Sequence, residues 1–325
     1  MSPAAVPPTV AATLSVPADA NLRPYSVHPS THPSTHPLTT SVAAMDHAAD
    51  GMSFRLLAHP TEVARAGGEQ AGVGWGAAGR SGGWTTCEQA LSDPASFTRW
   101  RAAVATQLAE QHTDVPEQTT AAYVLLRYLG VSSHLGAMLF HSARRVPSLQ
   151  PQHVAFRLDE GRVEEVALRP GRFWCLPGDP DAGHPDATAL PDEVALGAVL
   201  RCEVVSHAHR FLHVYGPMVR FGRRTLWAAV TDVLDIALLL AGRAFGSDRA
   251  GAADARLVLA ERVEPLTSAS TTCEVIDEQG RTHWTRRRGS CCFYYALSGA
   301  EHPCATCPRT DDAQRARILN TLKTA

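Results

Sequence analysis

The sequence predicts an α+β fold: a mostly helical body with short β-hairpins and a small cysteine-rich module at the C-terminus. Three observations carry this. Apolar residues recur at helical spacing through most of 93–145 and 190–262, and the period drops to two in two short stretches, each broken by a glycine turn. Four of the eight cysteines crowd into residues 291–307.

Asp93-Pro94 supplies a helix cap and a proline at the first helical position, ahead of Phe97, Trp100, Val104 and Leu108. A second helix is expected over about 117–129, stopped by Gly130, and a third over 132–145. Val154, Phe156 and Leu158 then alternate, Asp159-Glu160-Gly161-Arg162 turns, and Val163 to Leu168 returns as the partner strand. GRFWCLP (171–177) reads as a further strand before a Pro- and Asp-rich loop over 177–188. Residues 190–246 are helical with breaks near Gly216-Pro217 and Gly222, and another helix fits 252–262. CEVID and RTHWT form a second hairpin around Glu278-Gln279-Gly280 and lead into the cysteines. A last helix starts near 310, with Thr310 as cap and Asp311 and Asp312 in the first turn, where the helix dipole favours acids.

Two N-terminal stretches lack such periodicity. Residues 1–50 are rich in Pro, Ala, Ser and Thr and contain HPSTHPSTHP, with His28, His32 and His36 each before a proline. A histidine repeat is a possible transition-metal binder, but the composition is that of a disordered tail, whose removal is expected to leave stability unchanged. Met45 and Met52 are alternative starts. Residues 67–84 hold a formal GxGxxG at Gly74, Gly76 and Gly79, without the preceding strand and following helix of a dinucleotide site, so they read as linker.

A formal charge of −2 and a pI near 6.7 argue against a general nucleic-acid binder. Lysine occurs once, at Lys323, an arginine bias that reads as the codon usage of a GC-rich genome. The most apolar run, 226–242, carries Asp232 and Asp235 on one edge of a helix, so no integral membrane segment is expected and the two acids read as a solvated edge. The proline-broken N-terminus does not read as a signal peptide, which points to the cytoplasm. In that reducing compartment clustered cysteines bind metal more often than they form disulfides.

A zinc site takes its ligands from two C-x₂₋₄-C knuckles. Cys304 and Cys307 form one knuckle, whereas adjacent Cys291 and Cys292 project in divergent directions. A two-iron cluster shares four thiolates between two metal centres and suits adjacent cysteines better, with structural zinc and a redox dithiol as alternatives. Cys87, Cys175, Cys202 and Cys273 are scattered among apolar residues and read as core. Arg286, Arg287 and Arg288, just before the cysteines, read as a solvated strand end or as partners for acids on the helical body, with attraction of an anionic substrate as the alternative, and His209 and Arg210 are candidates for lining its cleft.

The Cys-Cys pair, the aromatic loop and Cys-x-x-Cys-Pro over about 291–308 resemble the ferric-siderophore reductase (FhuF-type) family. The loop Phe293–Pro303 has eleven residues, one more than the family's C-C-x₁₀-C-x₂-C, an insertion that a surface loop tolerates cheaply. The resemblance implies a [2Fe–2S] cluster on Cys291, Cys292, Cys304 and Cys307, with no catalytic residue beyond it. It also implies one-electron reduction of siderophore-bound Fe(III) in the cytoplasm. No flavin or nicotinamide motif is visible, so the electron is expected from an external donor protein. The organisation that follows is a tail over 1–50 and a linker over 51–92. A siderophore-binding domain over 93–265 and an iron–sulfur domain over 266–325 complete it.

Overall fold

A computed structural model describes residues 36–48, 52–57 and 83–324. Its helices are α1 (Leu38–Ala48), α2 (Cys87–Ser92), α3 (Ala95–Ala109), α4 (Glu117–Ala143), α5 (Glu193–Tyr215), α6 (Arg223–Ala244), α7 (Asp248–Val258) and α8 (Asp312–Thr324). The strands are β1 (Ser53–Leu56), β2 (Thr85–Thr86), β3 (Arg145–Pro147), β4 (Val154–Asp159), β5 (Arg162–Leu168), β6 (Phe173–Cys175), β7 (Ala187–Ala189), β8 (Thr272–Ile276) and β9 (Thr282–Arg286). They form three small sheets, ordered β1-β5-β4-β2, β3-β6-β7 and β8-β9, which bears out the α+β expectation.

α4 and α6 pack against each other at the centre of the body. α4 is one helix where two were expected: Gly130 does not stop it. A helical glycine costs only about 1 kcal/mol relative to alanine, and burial of Leu125, Leu129, Val131 and Leu135 on either side outweighs that. The helix ends instead at Arg144, which adopts left-handed φ of 51°.

An aromatic core joins the helices to the first hairpin. Tyr128 stacks on Phe211 with ring centroids 3.9 Å apart, Phe211 on Tyr215 at 5.1 Å, and Trp100 on Phe156 of β4 at 5.4 Å. The polar tips are satisfied, Tyr215 donating to Ala121 O (2.9 Å) and Trp100 Nε1 to Gly161 O (2.8 Å). Gly161 follows Glu160 in the β4–β5 turn, and both have positive φ. A Cβ at Gly161 would sit 3.0 Å from Val104 N, so glycine is needed there for both conformation and space.

The N-terminal boundaries differ from the expectation. Leu38, Val42 and Met45 of α1 are buried in the main core, so the polar composition of 1–50 hides a short helix whose apolar face docks on the body. β1 pairs in parallel with β5, and β2 pairs with β4 and leads into α2 through a Thr86–Gln89 capping box. Both ends of the 51–92 segment are thereby built into a sheet. His28, His32 and the glycine motif at Gly74, Gly76 and Gly79 lie outside the described residues. The strand at 173–175 joins β3 and β7 rather than the hairpin.

α6 is, among the described residues, the one helix long and apolar enough to cross a membrane. Its apolar window is 83% buried by the rest of the fold, as a core helix should be. α6 and α7 approach through glycines: a Cβ at Gly242 would lie 2.2 Å from Gly251 N.

Candidate metal centre

The cysteine segment is set by α6. Asp232 and Asp235, expected at a solvated edge, are both buried (4% and 2% exposed). Asp235 accepts hydrogen bonds from Thr271 N and Oγ1 (both 2.9 Å) and from Ser270 Oγ (2.7 Å), which fixes the chain entering β8. Asp232 accepts from Gly289 N (2.8 Å), Ser290 N (2.7 Å) and Ser290 Oγ (2.5 Å), which fixes the chain directly before Cys291. Backbone donors stabilise a buried carboxylate strongly, and these come from 35 to 58 positions away, so no local pattern announces them.

Arg286 and Arg288 close this arrangement. Both are buried. Arg286 donates to Asp232 O, and Arg288 Nε lies 3.7 Å from Asp232 Oδ2 while its Nη2 donates to Ser290 Oγ (3.2 Å). Burial first, and Arg288 second, lower the pKa of Arg286 to about 10, which leaves it charged at neutral pH. Of the arginines at 286–288, Arg286 and Arg288 are partners of an acid on the helical body, Asp232, and the exposed Arg287 pairs with Asp312.

The four thiols come together from two arms. Cys292 Sγ and Cys304 Sγ are 3.6 Å apart, and Phe293 N donates to Cys291 Sγ (3.4 Å). Cys292 and Cys307 are buried, whereas Cys291 and Cys304 are half-exposed. The hydrogen bond from Cys304, helped by Arg288, lowers the Cys292 pKa to about 6 and correspondingly raises that of Cys304. A single tetrahedral ion with 2.3 Å metal–sulfur bonds would hold all four sulfurs within roughly 4 Å of one another. Among the described residues, the one trio of His, Cys or acidic donor atoms lying mutually within 4.8 Å is His36, His184 and Asp186, so the sulfurs do not converge on one point. In the histidine trio both imidazole Nδ1 atoms accept backbone N–H groups, from Leu38 and Asp186.

Arg315, on α8, organises the second arm. Its buried guanidinium donates to three backbone carbonyls, Ala305 O (2.8 Å), Cys307 O and Thr310 O (both 3.0 Å), and to Asp312 Oδ1 (2.7 Å). Sequence reasoning missed it, and an arginine three residues after an acid on an amphipathic helix gives no signal. Asp311, not Thr310, caps α8, accepting from Gln314 N (2.7 Å). Arg288 N donates to Thr306 O (3.1 Å) and ties the arms together.

The intervening loop is fastened to the body. Phe293 has left-handed φ of 58°, turning the chain after Cys292, and its ring stacks on Phe221 at 5.6 Å and 10°. Thr119 Oγ1 donates to Phe293 O (3.3 Å), and Ser298 Oγ accepts from Asp114 N (3.0 Å). Burial first, then Cys292, pushes the Tyr123 phenol up to about 12.

His209 is exposed on α5, and Arg210 beside it pairs with Glu88 of α2 (2.8 Å). Among the described residues neither has a hydrogen bond or ion pair to the cysteine end. Of the other thiols, Cys87 and Cys175 are buried as expected, but Cys202 is exposed and Cys273 half-buried.

Four cysteines in this short C-terminal segment are a donor set that fits an iron–sulfur cluster. Residues 288–309 match the family described as the FhuF 2Fe-2S C-terminal domain, so the chain carries an FhuF-type C-terminal domain with a [2Fe–2S] cluster. No curated protein matches the chain.

Proposed function

We propose that this protein is a ferric-siderophore reductase that passes one electron to siderophore-bound Fe(III) and releases Fe(II) in the cytoplasm. Cys291, Cys292, Cys304 and Cys307 are the ligands. Residues 266–325 form the iron–sulfur domain, and 93–265 form the body that receives the siderophore. The observation that carries the reading is the match at 288–309 on a segment whose two half-exposed sulfurs lie at the protein surface.

The bound cluster supplies one electron at a time. Fe(III) is a hard ion held tightly by anionic oxygen ligands, whereas Fe(II) is held weakly by the same set, so that electron suffices to release it. The chain then needs no nucleophile or general acid. Asp232 and Arg315 each hold one of the two arms, and stacking of Phe293 on Phe221 fastens the chain after Cys292 to the body. Cys291 and Cys304 leave an approach for the chelate.

The test is anaerobic. Protein reduced by one electron per cluster and mixed with a ferric hydroxamate should yield close to one Fe(II) per cluster, captured by a ferrous-specific chelator, as the visible spectrum returns to the oxidised form. A spectrum that stays reduced in excess chelate would contradict the reading and favour a pure electron-transfer role.

A further inference from the structure

We propose that the face carrying Arg220, Arg223 and Arg224 is the docking surface for an acidic one-electron carrier protein, the donor that the reductase reading requires and on which this inference rests. All three side chains are exposed, and among the described residues none has a hydrogen bond or ion pair. Several other exposed arginines are paired, as Arg243 with Asp248 and Arg287 with Asp312, and the unpaired Arg172, Arg249 and Arg317 stand singly, whereas these three lie within five positions. The chain holds no acid from residue 204 to residue 231, although its net charge is −2. Three like charges within five positions repel one another, and among the described residues no acid pairs with any of them.

The patch borders the metal centre. Arg220 and Arg223 flank Phe221 across Gly222, Phe221 stacks on Phe293, and the Phe293 N–H reaches Cys291 Sγ. A charge on this face therefore sits two side chains from a thiolate. Small chelates are bound in concavities that bury most of their surface, whereas exposed guanidiniums spread along a loop and a helix turn match the distributed carboxylates of a protein partner. In the step itself the reduced carrier loses one electron and the site held by the four thiolates gains it. No bond is made or broken and no proton need move.

The probe is a plant-type ferredoxin, a small acidic one-electron carrier, used with the anaerobic holoprotein. At ~20 mM salt the triple variant R220Q/R223Q/R224Q should bind oxidised ferredoxin on the order of tenfold more weakly by calorimetry, with a shallower salt dependence. At ~0.5 M salt, where the screening length is roughly 4 Å, the two proteins should converge. The charge-conserving R220K/R223K/R224K should retain binding, which separates charge from folding. Reduction of a ferric chelate by pre-reduced variant should match wild type. Equal ferredoxin binding by wild type and the glutamine variant at low salt would overturn the proposal. So would intact ferredoxin binding with slowed chelate reduction, since the patch would then serve the substrate. Arginine-dependent ferredoxin binding by a wild type that reduces no chelate would leave the docking surface standing and remove the reductase reading.

Discussion

Between α2 and α7 the fully buried side chains are largely Phe97, Trp100, Tyr128, Phe156, Phe211 and their aliphatic neighbours. Beyond residue 270 the buried side chains include Asp277, His283, Arg286, Arg288 and Arg315. The body is held mainly by non-directional apolar packing that needs no metal, with buried ion pairs of its own at Arg144–Asp254 and Arg145–Asp179. The cysteine end is held by directional charge-assisted bonds, each buried ion depending on a partner, as in Asp232 with Gly289 and Ser290, or His283 Nε2 with Asp277 at 2.9 Å. Apolar contacts tolerate small displacements, whereas a carboxylate on two successive backbone N–H groups fixes the chain that follows. That is what positioning a sulfur requires.

The largest effect expected from breaking this contrast is at Asp232. Asp232→Ala removes three hydrogen bonds and leaves Arg288 buried without its carboxylate partner, a local cost of about 3–5 kcal/mol. Iron and labile sulfide should fall several-fold, with Asp232→Asn intermediate. Full occupancy in the alanine variant would mean that the thiols place themselves. On the body side, deleting residues 1–44 removes the buried Leu38 and Val42, and the melting temperature should drop by the equivalent of about 3–5 kcal/mol. An unchanged melting curve would restore the expectation of a dispensable tail. Gly242→Ala forces a methyl to 2.2 Å from Gly251 N and should cost about 3 kcal/mol of body stability, read by thermal melting of the metal-free protein. The bound iron of correctly folded variant should match wild type.

The smallest effect at accessible pH concerns His207. It is fully buried against Leu149 O (2.6 Å), and burial lowers its pKa from 6.5 to about 4. The unfolded chain therefore takes up this proton at higher pH than the folded one. The contribution is fully present above pH 6.5 and falls as the pH drops towards 4, by about 3 kcal/mol in all. Denaturation midpoints of wild type and His207→Gln between pH 7 and 5 check this: the wild type should lose stability on acidification and the variant should lose less.

Both hairpins, the break at Gly216–Pro217 and the crowding of four cysteines near the C-terminus were legible in the sequence, because each depends on residues close together in the chain. The continuity of α4 through Gly130 was not, because packing against α6 decides it. Asp232 and Asp235 were misread for a related reason. Helical periodicity placed them correctly on one face, but the donors that make burial affordable lie on the chain entering β8 and before Cys291. Pairing of Arg286 and Arg288 with acids on the body was one reading of the arginine run, but which acid they meet is set by residues far away in the chain. α1 was hidden by its proline-rich surroundings.

Stability and metal binding are divided between the two regions: the body carries the first and the cysteine end the second. Hydrogen exchange on holoprotein and on protein stripped of iron tests this division most directly. Residues 286–310 should lose protection by orders of magnitude on stripping, while α4, α5 and the C-terminal half of α6 keep theirs. Uniform loss across the chain, or protection of 286–310 unchanged without metal, would contradict it.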